Sequence, residues 1–96
     1  MIDADGNSFN YDKLLIATGS KPFILPIEGN NLEGVIGFRD IADVEQMIDT
    51  AKRYKNAVVI GGGLLGLEAA NGLIKKGMHT TVVHLSEDLM NMQLDS

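Results

Sequence analysis

The stretch Asn56-Ala57-Val58-Val59-Ile60-Gly61-Gly62-Gly63-Leu64-Leu65-Gly66-Leu67-Glu68-Ala69-Ala70 decides how the rest of the chain is read. Ala57 to Ile60 is a short apolar, largely β-branched run, the pattern of a buried strand. Gly61, Gly63 and Gly66 follow at G-x-G-x-x-G spacing. Leu64 to Lys76 then reads as a helix whose apolar face joins Leu65, Ala69 and Leu73 to Leu67, Ala70 and Ile74. Gly77 is placed to close that helix in a left-handed conformation. Thr80 to Leu85 supplies a second strand run.

A bare G-x-G-x-x-G also arises in ordinary turns. Between a strand and a helix, inside a βαβ unit of about 30 residues, it becomes a dinucleotide-binding fingerprint. The expected fold class is therefore α/β, a Rossmann-like βαβ half of an NAD(P)-binding domain with a parallel sheet and a right-handed crossover. Each glycine has a separate physical task. Gly61 permits the tight turn, Gly63 leaves no Cβ between main chain and diphosphate, and Gly66 lets the helix close on the strand. With Gly62, Leu64 and Leu65 between them, they bring unpaired N–H groups and the positive end of a helix dipole to one place. No cationic side chain is needed.

An acid that accepts from the adenosine ribose is expected about 20 residues further on. The second strand ends instead in His84, with Glu87 and Asp88 beyond it. His84 is either a strand-end residue with no ligand role or a contact to the ribose, or to a 2′-phosphate when protonated. Both NADH and NADPH stay open. Glu68, expected in the first helical turn, either complements the dipole or faces whatever binds there. His79 reads as a solvated loop residue, and Met78, Met90 and Met92 as apolar gap-fillers. No pair of carboxylates, no Ser/His/Asp set and no metal-ligand cluster stands out.

Upstream, Asp5-Gly6 predicts a two-residue hairpin turn. The alternation of Asp3, Asp5 and Asn7 does not make a calcium loop, because the glycine falls at the fourth position and the closing glutamate is missing. Leu14 to Ala17 predicts a strand covered on both faces, and Val35 to Phe38 a short strand. Pro22 and Pro26 keep the intervening chain extended, and residues 28–34 form a polar loop. Asp40 is placed as an N-cap with Asp43 three residues on. Ile41, Val44, Met47, Ile48 and Ala51 then recur at helical spacing, and Lys52, Arg53 and Lys55 close a helix over 41–54.

The 96 residues are 45% hydrophobic and 22% charged, which excludes wholesale disorder. Without cysteine there is neither a disulfide nor a thiolate metal site, and the redox compartment stays open, a cytosolic one permitted. The net charge of −5 speaks against a nucleic-acid surface. It resides in residues 1–48, where Lys13, Lys21 and Arg39 face eight acids; residues 49–96 balance five bases against five acids. No apolar run approaches the ~18 residues of a membrane span, and the start lacks the pattern of a signal peptide.

Together, Tyr11-Asp12-Lys13-Leu14-Leu15-Ile16-Ala17-Thr18-Gly19-Ser20, Pro22, Arg39-Asp40-Ile41 and Val59 to Ala70 resemble the FAD-dependent pyridine-nucleotide oxidoreductases over nearly the whole chain. In that family an NAD(P) domain is inserted between halves of an FAD domain. Val82 to Leu85, Leu89-Met90 and Gln93-Leu94-Asp95 are similar to the large-subunit branch of assimilatory NAD(P)H nitrite reductases. The resemblance implies that residues 1–38 are the tail of an FAD half-domain and 39–96 the first half of an NAD(P)H domain. It implies that Thr18 and Gly19 lie beside FAD and Arg39 near the flavin nucleotide. Gly61 to Gly66 would take the NAD(P)H diphosphate, Leu64 would flank the nicotinamide, and Glu68 would approach its carboxamide. His84 replaces a glutamate common in NADH-using relatives.

The function implied is hydride transfer from NAD(P)H to FAD in a cytoplasmic enzyme, with electrons passing on to nitrite and no residue here acting as acid, base or nucleophile. An iron–sulfur cluster and sirohaem would lie outside these residues. The partners implied are the remainder of a flavoprotein chain and a small subunit or a second copy. The chain is accordingly expected to be a fragment, inactive alone. Alternatives are another flavoprotein reductase (NADH oxidase, rubredoxin or ferredoxin reductase), a non-catalytic nucleotide-binding module, or a folded piece that binds nothing.

Overall fold

A computed structural model describes residues 1–90. The element order is α1 (Ile41–Arg53), β1 (Asn56–Ile60), α2 (Leu64–Lys75) and β2 (His79–Val83). β1 and β2 form a two-stranded parallel sheet in which Ala57 faces Thr80 and Ile60 faces Val83. The ladder runs one bond past each end: His79 N–H donates to the Lys55 carbonyl at 2.7 Å, and Gly61 N–H to the Val83 carbonyl at 2.8 Å. Parallel strands need a crossover between them, and α2 supplies it while packing on both.

The α/β expectation holds, and the helix over 41–54 ends one residue early. Asp40 and Asp43 make a reciprocal capping box, Asp43 N–H donating to the Asp40 carboxylate at 3.0 Å and Asp40 N–H to the Asp43 carboxylate at 3.2 Å. α2 ends at Lys75, and Gly77 has φ +84°, the left-handed closing residue expected of it. His79 is not in a loop; it is the exposed first residue of β2, because the sheet bond to Lys55 recruits it.

The core is small. Among the described residues the buried hydrophobic side chains are those of Ala69, Ala70, Leu73 and Met78, so the expected gap-filling role holds for Met78. The apolar run of β1 is two-sided, but α2 covers one side only and leaves Val58 and Ile60 exposed. Ile74 and Leu65, placed by periodicity on the apolar face of α2, are also exposed, because the contacted face of α2 is the narrow one through Ala69, Ala70 and Leu73. α1 has no buried residue; its Met47 methyl lies close to Gly72, where a Cβ would stand 3.5 Å away. The radius of gyration is 18.0 Å, above the ~12–13 Å of a closed domain of this length.

Three upstream expectations are corrected. Leu14 to Ala17 is not a strand; Leu15 is 87% exposed, and no strand lies alongside to pair its main chain. Val35 to Phe38 forms no strand, for the same lack of a partner. The Asp5-Gly6 turn is a three-residue hairpin. Gly6 N–H donates to the Asp3 carbonyl at 3.1 Å and Asp3 N–H to the Asn7 carbonyl at 3.0 Å. Of Ala4, Asp5 and Gly6 only Gly6 has positive φ, the pattern of a type I turn closed by a glycine bulge. An isolated bridge joins Ile2 and Ser8.

The Asp3 carboxylate accepts from the Asn7 side chain and from the Asn7 and Asp5 amides, which holds its pKa below the usual carboxylate value. A lowered carboxylate supports the folded turn above its ordinary titration range and loses that support as pH falls. Met92 and the resemblance at Gln93-Leu94-Asp95 lie outside the described residues.

Leu73 is the largest buried side chain on α2, so Leu73→Ala should lower unfolding stability by about 2–4 kcal/mol in urea titration. Leu85→Ala, at a fully exposed position, should stay within about 0.5 kcal/mol of the parent.

Candidate functional site

At the C-terminal end of β1 the chain must reverse into α2 within three residues. Gly61 makes the reversal at φ +115°, a conformation that side-chain-bearing residues rarely adopt. Gly63 is the helix N-cap, in extended conformation and with no side chain to cap the orphan amides. A Cβ on Gly66 would overlap the Gly61 carbonyl oxygen and stand 2.8 Å from its carbon. The strand end and the first helical turn are thus in backbone contact, as the spacing predicted. A Cβ on Gly63 would meet nothing within 4 Å.

The donors of this loop divide into two sets. Gly61 N–H completes the sheet on Val83, and Gly62 N–H donates to His84 Nδ1 at 2.9 Å. The first bond inside the helix runs from Leu67 N–H to the Gly63 carbonyl at 3.0 Å. That leaves the N–H groups of Gly63, Leu64, Leu65 and Gly66 without a partner among the described residues. They are the orphan donors that every helix start presents. Over them lies a cleft of about 410 Å³ lined by Ile60, Gly61, Gly63, Leu64, Leu65 and Gly66. A larger gap of about 820 Å³ separates residues 20–39 from β1 and α2. Phe23, Ile24, Leu25, Val59 and Leu73 are among its walls, so its character is that of an unfilled packing space.

The structure brings most of the sequence-predicted residues into two groups. Gly61 to Gly66 surround the cleft, with the Leu64 and Leu65 side chains exposed at its rim. His84 joins them through Gly62 and is partly buried. Glu68 does not line the cleft. It is the fifth residue of α2, exposed, and no acid stands in the first turn, so a capping role there is corrected: the helix begins at Leu64, and Glu68 falls in the second turn. The second group is upstream. Gly19 has φ +69°, and a Cβ there would stand 3.0 Å from the Arg39 guanidinium, so Arg39 lies beside Gly19.

Sequence reasoning missed the Met90 N–H bond to the Gly62 carbonyl at 2.9 Å. No local signal announces a contact across 28 residues. Among the described residues, no cluster of three His, Cys, Asp or Glu side chains could hold a metal ion. None of the helices among those residues is long and apolar enough to cross a membrane. The free donors and the Cβ-free space at Gly63 do fit a dinucleotide diphosphate.

Comparison with known proteins shows the family. The family model of the pyridine nucleotide-disulphide oxidoreductases matches residues 1–96, and the chain belongs to that family. It is 58% identical over 86 residues to the nitrite reductase [NAD(P)H] of Bacillus subtilis, covering 90% of this chain and 11% of that protein. It is 49% identical over 94 residues to the nitrite reductase [NAD(P)H] large subunit of Klebsiella oxytoca, covering 98% and 10%. A solved NAD-dependent persulfide reductase from A. fulgidus superposes with a TM-score of 0.80 at 39% identity, over 91% of this chain and 16% of that one. The chain spans about a tenth of the length of the two nitrite reductases.

The two loop glycines should separate in a stability assay. Gly66→Ala drives a Cβ into backbone and should lower stability by at least about 2 kcal/mol, whereas Gly63→Ala should cost about 1 kcal/mol or less. Thermal melts of the two variants side by side check this.

Proposed function

We propose that this chain is the NAD(P)H-binding segment of a flavoprotein oxidoreductase that passes hydride from NAD(P)H to FAD, and that the whole protein is the large subunit of an assimilatory nitrite reductase. The observation that carries the first part is the run of four unpartnered N–H groups, Gly63 to Gly66, opening on a cleft with no side chain in the way. A diphosphate satisfies such donors directly, and the helix dipole adds to the attraction. The identities of 58% and 49% to nitrite reductases support the second part. The persulfide reductase, at 39% identity, supports the runner-up, another reductase of the same family.

The roles follow from position. Gly61 shapes the turn, and Gly63 to Gly66 hold the diphosphate. Leu64 at the rim would flank the nicotinamide, and Glu68, a turn deeper in α2, would approach its carboxamide. His84 stands at the ribose end. Thr18 and Gly19, with the Arg39 guanidinium beside Gly19, would form the edge nearest FAD; residues 1–38 would be the tail of the FAD half-domain and 39–96 the first half of the NAD(P)H domain. The bound nicotinamide supplies the hydride and the flavin accepts it; this segment contributes position rather than acid–base chemistry. Iron–sulfur cluster, sirohaem, and a small subunit or second copy belong to the remainder of that enzyme, in the cytoplasm.

Titration of the full-length, FAD-loaded polypeptide with NADH and NADPH tests the proposal, and saturable binding with bleaching of the flavin is expected. Gly63→Val, which fills the space above the N-cap, should weaken coenzyme binding at least about tenfold while the flavin stays bound. Unchanged affinity would overturn the diphosphate assignment. Coenzyme oxidation stimulated by nitrite separates the nitrite reductase from its relatives.

A further inference from the structure

We infer, resting on the reading of this loop as a diphosphate cradle, that His84 is a positioning residue whose neutral ring latches the glycine loop and must lose its proton for coenzyme to bind well. Gly62 is buried, and the segment after β2 holds the two peptide groups that flank it. Its N–H donates to His84 Nδ1 at 2.9 Å, and its carbonyl accepts from Met90 N–H at 2.9 Å. A main-chain N–H can only donate. Nδ1 is therefore the acceptor, and the neutral ring carries its proton on Nε2. That nitrogen is buried and has no partner among the described residues. The ring also packs on the loop, since a Cβ at Gly62 would stand 2.8 Å from His84 Cγ and 2.6 Å from a Leu89 methyl.

The latch sorts the loop donors. With Gly61 and Gly62 committed to protein acceptors, the four amides from Gly63 onward are the ones left for a ligand. Remove the ring acceptor and a buried donor is stranded, which is costly enough to turn the peptide. Protonation has the same effect, because an imidazolium carries N–H on both nitrogens and accepts at neither. The glycine loop and β1 bring no ionisable side chain to this ring. β2 carries His79 at its far end, α2 carries Glu68, and the following segment carries Glu87 and Asp88, all exposed and none hydrogen-bonded to the ring. Coenzyme affinity should therefore be lower for the protonated ring than for the neutral one. The ring acts as an acceptor toward its own chain, not as a cation toward a 2′-phosphate.

The test uses the full-length, FAD-loaded polypeptide. Dissociation constants for NADH and NADPH are measured from pH 5.5 to 8.5, and deuterium uptake of the peptide bearing Gly61 to Gly63 is followed without coenzyme. His84→Ala should weaken binding about 3- to 10-fold at pH 8, flatten the acid limb and speed uptake. His84→Asn offers a non-titrating amide oxygen to Gly62 N–H. It should restore near-parent affinity and slow uptake at pH 8 and show no acid limb. The inference is overturned if His84→Ala leaves affinity and uptake unchanged, if it retains the acid limb, or if NADPH binding by the parent tightens toward acid. A parent protein that binds neither coenzyme refutes the function proposed above, while the uptake comparison still decides the latch.

Discussion

The contact on which the site depends is between two pieces of backbone: the Gly61 carbonyl at the end of β1 and the Cα of Gly66 in the first turn of α2. Any Cβ at position 66 would stand inside the carbonyl group, so the helix can sit this close only with glycine there. Close seating puts the start of the helix over the strand end, where its orphan amides share one cleft. It also lets α2 descend onto both strands as the crossover of a parallel pair. Withdraw the helix by the width of a methyl group and the cleft, the cap and the packing all change together.

The anion site proposed above would be made from main chain, and the charge pattern of the chain fits that reading. The half that contains the loop is electrically neutral, and two of its five bases, Lys75 and Lys76, close α2 at the opposite end from the cleft. Twelve residues of helix put them roughly 18 Å from its N-terminus, beyond a Debye length of ~8 Å at physiological salt. There they complement the negative end of the dipole. In the proposed reading, phosphate would be attracted instead by fixed peptide dipoles, which need no side-chain ordering when a ligand arrives.

What could be read from the sequence was what local sterics and local hydrogen bonds decide. The tasks of Gly61, Gly66 and Gly77 follow from φ and from close approach, and the Asp40–Asp43 box from a spacing of three. Asp-Gly pointed to the right turn but the wrong type, because the same dipeptide serves a two-residue loop and a glycine bulge. Leu14 to Ala17 has a strand's composition, yet a strand is defined by its neighbour, and periodicity cannot supply one. Glu68 falls just beyond the first turn even with the helix starting at Leu64 as read, because a turn holds 3.6 residues and Glu68 is the fifth. The pairing of His84 with Gly62 spans 22 residues and exists only once β2 lies beside β1.

The loop is fixed more firmly than the apolar faces around it. Val58, Ile60, Leu15 and Ile16 are exposed, and among the described residues the buried core amounts to four side chains, so little of the shape is enforced by burial. The loop does not rely on it. Gly61 is tied into the sheet by Val83, Gly62 is held at its N–H by His84 and at its carbonyl by Met90, and Gly66 abuts Gly61. Three elements thus constrain consecutive peptides through directional contacts, each worth about 1 kcal/mol as a hydrogen bond and more when left unmade in a buried place. Such a loop keeps its shape because changing any one peptide would strand a donor or an acceptor, and a pre-set shape spares a ligand the cost of ordering it.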